Sequence, residues 1–350
     1  MSSFSEKVHI RTDANETIAS GHVMRSLSVA DALAAIGARV DFILSDDNAI
    51  QLIEDRGYAV RVLSSDWRNL EDGFEDIERM CLQESEHSIM LVDTYSIDRS
   101  FVERASAFSK VCYLGSKKGN LGPLSLLANY STTIDEAWYA ALYEEYGTQL
   151  LLGPKYAPLK SCFDREPIEI SSTASKVLVT TGGSDPYSFE AEFVSRALDS
   201  LSSRNLRFEI VIGRMSQDRD LLERRFADDD RIALHFNVSN MIEIMKECDL
   251  AVSANGTTVY ELAAMGIPTI SFAMVPEQEE SAKRLMELGA VECCGSLYRD
   301  PLGVIAHAVS ATDRLARDME HRSRLAKTAR GLIDGKGSRR IAKAILDLNA

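Results

Sequence analysis

The chain repeats one local pattern through both of its halves: a short apolar run, a turn, and a helical stretch. KVHIRTD, ARVDFILSDD, YAVRVL, SIMLVDTY and KVCYLGS alternate with helix-forming segments in the first half, and KVLVTTGG, RFEIVIG, RIALHF, LAVSANG and IPTISFAM do so in the second. Runs that are apolar along most of their length bury both faces, as in a parallel sheet covered by helices on each side. The expected class is α/β, with two Rossmann-like doubly wound domains facing each other across a cleft. Ligands of such sheets bind beyond the carboxyl ends of the strands, so the turns that follow strands are where chemistry is expected.

A length of 350 residues suits two domains. Residues 151–176 hold three of the eight prolines and a Ser/Thr cluster, which reads as a linker between an N-terminal domain at 1–160 and a C-terminal domain at 161–350. Residues 300–350 are helix-prone throughout, and the terminal helix is placed to pack back on the N-terminal domain. A net charge of −14 argues against nucleic acid or an anionic membrane surface as partner. The N-terminus shows no apolar run of signal length, and no stretch reaches the ~20 apolar residues of a membrane span, so a cytoplasmic location is expected. The six cysteines form no C-x-x-C pair, and most of them read as small buried hydrophobes.

Three turns carry the chemical signal. TDANETIASGH is long for a strand-to-helix connection and gathers Arg11, Asp13, Gly21, His22 and Arg25 near a helix N-terminus, which favours an anion. A histidine at a helix start commonly makes only a local hydrogen bond. With Gly21 beside it and Arg25 one turn on, His22 is also a candidate general base. The other histidines lack such neighbours in the sequence and read as structural. TTGGSDPYSF offers the amides of Gly182 and Gly183, with Ser184 or Asp185 capping a helix expected from about Pro186. It suits a phosphate, and equally a plain tight turn, and it matches neither nucleotide fingerprint. SANGTTVYELAAMG places Asn255, Gly256 and Thr257 at a helix N-terminus suited to a diphosphate, with Glu261 one turn on, where a carboxylate can accept two hydrogen bonds from a ribose diol. Gln278 precedes the next helix.

RTDANETIASGHVMRSLSVADAL, LVDTYSID, LLGPKYAPLK, TTGGSDP, SANGTTVYELAAMGIPTI and PEQEESAKRL occur in this order. Together they resemble the UDP-sugar hydrolases of pseudaminic acid biosynthesis, a family similar to spore-coat polysaccharide proteins and, more remotely, to the MurG glycosyltransferases. The resemblance implies a two-domain glycosyltransferase B-type (GT-B) fold. It also implies cleavage of UDP-2,4-diacetamido-2,4,6-trideoxy-β-L-altropyranose between the anomeric carbon and the diphosphate, with inversion. By that match His22 activates water, while Arg11, Asp13, Gly21, Arg25, Asp93 and Tyr95 surround the sugar. Gly182, Gly183, Ser184, Asn255, Gly256, Thr257, Glu261 and Gln278 hold UDP. Two helix N-termini neutralise a diphosphate unaided, so neither a metal nor a cofactor is expected. YLGSKKGNLGP departs from the family pattern, with Gly115-Ser116 and two lysines where an Asp-Asp pair is usual. The alternatives are a GT-B glycosyltransferase using a UDP-sugar donor, or a nucleotide-sugar binding protein without catalysis.

Overall fold

In the computed structural model residues 6–84, 88–200, 205–238 and 240–349 are described. The chain divides into two compact units, Met1–Ser161 together with Lys336–Ala350, and Cys162–Gly335.

The first unit runs β1 (Lys7–Thr12), α1 (Gly21–Ala35), β2 (Arg39–Leu44), α2 (Ile50–Glu54), β3 (Ala59–Val62), α3 (Phe74–Glu84), β4 (Ser88–Asp93), α4 (Arg99–Ala105), β5 (Ser109–Leu114), β6 (Leu126–Asn129), α5 (Glu136–Tyr143) and β7 (Gln149–Leu152). Its seven strands pair in parallel in the order β3-β2-β1-β4-β5-β6-β7. The sheet therefore continues into the stretch read as linker: Leu151 and Leu152 belong to β7, and the break in pattern begins only at Gly153. Short strands of four residues leave little periodicity to read.

In the second unit the order is β8 (Lys176–Thr180), α6 (Phe189–Ser200), β9 (Arg207–Ile212), α7 (Arg219–Phe226), β10 (Ile232–Phe236), α8 (Met241–Met245), β11 (Leu250–Ala254), α9 (Thr257–Met265), β12 (Thr269–Ala273), α10 (Glu279–Glu287), β13 (Glu292–Ser296), α11 (Pro301–Arg317) and α12 (Met319–Leu332). Its strands are again all parallel, ordered β10-β9-β8-β11-β12-β13.

In both sheets the chain winds outward in one direction, then returns to the middle and winds the other way. The reversal falls between β1 and β4 in the first sheet and between β8 and β11 in the second. At such a point the turns after the two central strands diverge to opposite faces and leave a crevice at the strands' carboxyl ends. Thr12 pairs with Asp93 at the end of β1 and β4, and Thr180 pairs with Ser253 at the end of β8 and β11. The turns singled out in the sequence follow directly from these positions.

Helix α1 lays Val23, Leu27, Ala30 and Leu33 into the core, the spacing of one helical face. It ends where Gly37 takes a left-handed φ of +96°, which lets the Ala38 amide reach back to the Leu33 carbonyl. The last helix, α13 (Gly337–Asp347), returns to this unit and packs on α1, with Ile341, Ala342 and Ile345 in the same core cluster. Ser338 donates to the Leu159 carbonyl at 2.7 Å and anchors its start. Among the described residues no helix is long and apolar enough to cross a membrane.

Ile341 is fully buried although it lies nine residues from the last position of the sequence. Ile341→Ala is expected to destabilise the first unit by ~2–5 kcal/mol through lost burial and a residual cavity. Both tryptophans of the chain, Trp67 and Trp138, lie in that unit. Their fluorescence through a urea titration therefore reports on it alone, and an unchanged midpoint would refute the assignment.

Candidate functional site

At the reversal of the first sheet, one carboxylate organises the site. Asp93, the last residue of β4, is completely buried. Its Oδ1 meets His22 Nδ1 at 2.5 Å and also takes Arg25 Nη2. Its Oδ2 accepts Arg25 Nε at 2.7 Å and Ser26 Oγ at 3.0 Å. His22, Arg25 and Ser26 are residues i, i+3 and i+4 of α1, so a single face of the helix's first turns converges on one acceptor. Burial pushes the Asp93 carboxyl up, but the Arg25 charge and the hydrogen bonds from His22 and Arg25 outweigh it and hold the group below the ordinary carboxylate range. Asp93 is therefore ionised and can only accept, so its contact with His22 is a hydrogen bond when Nδ1 carries the hydrogen, and Arg25 Nη2 lies 2.9 Å from the same nitrogen. Nε2, on the far side of the ring, is buried and has no hydrogen-bond partner among the described residues. A ring oriented by a carboxylate with its far nitrogen left open is the geometry of a general base.

Around this core the other expected residues take distinct places. Tyr95 is 62% exposed, and its ring meets the His22 ring edge-on, with centroids 4.3 Å apart. Gly21 opens α1, which has no side-chain cap at its N-terminus. Arg11 and Asp13, expected near the sugar, turn inward: Arg11 Nη1 donates to Asp13 Oδ2 at 2.6 Å, and Asp13 Oδ1 accepts the Ser45 amide at 2.6 Å. Each is about 1% exposed, so the pair fastens the end of β1 to the end of β2 and shapes the long turn from beneath. Burial raises the Asp13 carboxyl despite Arg11 beside it. Two participants were not singled out in the sequence. Ser26 was detectable from its i+4 spacing to His22, whereas Tyr130, whose hydroxyl accepts Arg25 Nη1 at 3.2 Å, comes from the distant end of β6.

Of the remaining histidines, His9 has a neighbour that the sequence did not disclose, Asp41 on the adjacent strand at 2.6 Å, and His235 pairs with Glu209 at 2.6 Å. His87 lies outside the described residues.

At the reversal of the second sheet, backbone groups dominate. The turn after β8 places Gly182 at φ +91°, and its glycine pair lies under a close approach by Gly213, where any side chain would overlap the Gly182 carbonyl. The Met215 amide donates to the Gly183 carbonyl at 2.9 Å. Helix α6 begins at Phe189 rather than near Pro186, because the Asp185 carboxylate accepts the amides of Phe189 and Glu190, both at 2.9 Å. That start is consequently capped from within, by the Asp185 carboxylate of the turn itself. Gly213 and Met215, from the turn after β9, were missed in the sequence, where a lone glycine after a strand carries no specific signal.

After β11 the arrangement is more open. Helix α9 starts at Thr257 behind Gly256, with no side-chain cap. Asn255 accepts Ser271 Oγ at 3.3 Å and reaches the Gln278 carbonyl, while Gln278 Oε1 accepts the Met274 amide at 2.8 Å. Asn255 and Gln278 thus tie the turn after β11 to the turn after β12, with Gln278 Nε2 on the Gly256 side. Glu261 is half-buried one helical turn beyond Thr257. An uncapped helix start of this kind favours an anion.

Residues 177–324 match the family model of the glycosyltransferase family 28 C-terminal domain. The chain is 25% identical over 278 residues to an uncharacterized protein of Methanocaldococcus jannaschii, MJ1062, covering 75% of this chain and 55% of that one. It is 27% identical over 211 residues to the spore coat polysaccharide biosynthesis protein SpsG of Bacillus subtilis, covering 59% and 61%. The matches thus span less than two thirds of either relative. The crystal structure of MurG from Acinetobacter baumannii aligns with a TM-score of 0.68 at 16% identity, over 97% of this chain and 99% of that one. The chain has the GT-B fold. Its second unit is similar to the glycosyltransferase family 28 C-terminal domain over residues 177–324.

Beneath the glycine turn lies a buried carboxyl that can be tested. Glu190 Oε1 accepts both the amide and the hydroxyl of Thr181, and Oε2 has no partner among the described residues. Burial, with Asp185 adding to it, pushes Glu190 up to about 8, so it keeps its proton at neutral pH. The folded state then binds a proton that the unfolded chain releases above its ordinary value of 4.5. This contribution to stability is full below pH 4.5 and is lost as pH rises towards 8. Glu190→Gln should flatten that decline, read as the difference in urea midpoint between pH 5 and pH 8 by far-ultraviolet circular dichroism. An equal slope in both proteins would refute it.

Proposed function

We propose that the chain cleaves a UDP-sugar at the anomeric carbon and passes the glycosyl group to a hydroxyl oxygen that His22 deprotonates. The observation that carries this reading is the Asp93-oriented imidazole whose Nε2 is left without a partner. The second unit supplies UDP binding through the amides of Gly183 and Ser184, the uncapped start of α9 at Asn255, Gly256 and Thr257, and the ribose-accepting carboxylate of Glu261. Gln278 adds an amide donor beside Gly256. Backbone donors at the diphosphate stabilise the negative charge that develops on the departing UDP without protonating it. One base and one displacement give inversion at the anomeric carbon. Arg25 and Asp93 act by holding His22, and Gly21 and Tyr95 border it.

The likeness to glycosyltransferases favours an alcohol of a second molecule as the acceptor. A second reading, with water as acceptor and a diacetamido-trideoxy-hexose as the sugar released in pseudaminic acid synthesis, is favoured by the six ordered motifs from RTDANETIASGH to PEQEESAKRL. The chemistry at His22 is the same in both.

UDP release from a panel of UDP-N-acetylated sugars, followed with and without added sugar alcohols, separates the two. Release that depends on an alcohol supports transfer, and equal release in its absence supports hydrolysis. His22→Ala is expected to lower turnover ~10²–10⁴-fold while UDP affinity, measured by calorimetry, stays unchanged. Undiminished release by that variant would remove His22 from the chemistry.

A further inference from the structure

The segment YLGSKKG, where the chain departs from the pattern of the proteins it resembles, comprises the last two residues of β5 and the turn beyond them at the carboxyl end of the first sheet. Its backbone is folded tightly onto Tyr113. That side chain is buried and lies beneath Gly115, where an added Cβ would overlap the Tyr113 hydroxyl and ring. The same hydroxyl accepts the Lys117 amide at 3.2 Å. Held in this way, Lys117 directs its side chain across to the turn between β4 and α4. There its Nζ donates to the Ile97 carbonyl at 2.5 Å and the Tyr95 carbonyl at 3.3 Å. These carbonyls belong to the turn that carries the Tyr95 ring, and that ring meets the edge of His22.

We infer that Lys117 is a positioning residue, an ammonium clamp that fixes the Tyr95 turn against His22. The inference rests on the reading of His22 as the base, and it gives the departing segment a role in the same site. An ammonium suits the task because it offers three donors on a flexible stem and can satisfy two carbonyls that diverge from one turn. The clamp needs each of its parts. Gly115 leaves room for the Tyr113 ring, Tyr113 sets the Lys117 backbone, and Lys117 spans from the turn after β5 to the turn after β4. Tyr95 is itself exposed although its ring meets His22, so its setting depends also on how its backbone is held.

Lys117→Met keeps the length of the stem and removes the donors, and Lys117→Arg restores donors to the same place. Hydrogen–deuterium exchange of the intact chain should rise in Lys117→Met across residues 94–98 and stay unchanged across 181–190. In the UDP-release assay kcat should fall ~10-fold with KM and UDP affinity unchanged, and Lys117→Arg should recover most of the loss. Unchanged exchange at residues 94–98 overturns the clamp. Raised exchange with an unaltered kcat overturns its positioning role. If the unsubstituted protein releases no UDP, the proposed function falls, and the exchange result alone still decides whether the clamp exists.

Discussion

The first unit depends on a buried carboxylate at the end of a central strand. Asp93 is wholly removed from water, which would be prohibitive for a charge left alone. Arg25 supplies the opposite charge and Ser26 and His22 supply the remaining hydrogen bonds, all from one face of α1. The requirement that three side chains reach one acceptor fixes the rotation of α1 about its axis and its height above the sheet. An apolar stripe alone would tolerate some sliding, since hydrophobic contact is not directional. The polar network thus sets the register of the helix, and the register sets where His22 Nε2 points. Removing Asp93 would leave the Arg25 charge without its partner, a loss larger than the pair itself contributes.

The two units use the same topological feature with different chemistry. In the first, the crevice between β1 and β4 is furnished with side chains, and the inward pair Arg11–Asp13 holds the long turn that precedes α1. In the second, the crevice between β8 and β11 presents backbone amides, and side chains work from below. Glu190 holds Thr181, Asp185 closes the start of α6, and Asn255 with Gln278 joins two neighbouring turns. Side chains suit proton transfer because their pKa values can be tuned, whereas fixed amides suit a diphosphate because their dipoles need no reorganisation.

Much of this was legible in the sequence because its signals are local. The apolar runs gave β1 to β5 and β8 to β12, and the glycine-bearing turns fell at the two reversals, where the central strands end. What escaped was long-range. Tyr130 meets Arg25 across 105 positions, and His9 meets Asp41 across 32, through strand pairing that no single stretch reveals. Gly182 and Gly183 read as a phosphate signal, yet part of their meaning is the approach of Gly213, which only the fold brings near. β6, β7 and β13 were missed because runs of four or five residues, with Asn129 ending β6 and ECCGS forming β13, show too little apolar pattern, and the start of α6 was misplaced because Asp185 caps amides four and five positions away rather than two or three.

Arg25 also shares the carboxylate that orients the His22 ring. An isolated Asp beside an imidazole fixes the ring but adds a full negative charge directly behind it. Here the guanidinium shares both oxygens of Asp93, so the group behind His22 is an ion pair close to neutral while its oxygens still accept the Nδ1 hydrogen. The hydroxyl of Tyr130 and the face of its ring, 5.9 Å from the guanidinium, hold Arg25 from the other side. Orientation and charge balance are thereby set by different residues: Asp93 fixes which side of the His22 ring faces inward, and Arg25 balances the charge of Asp93.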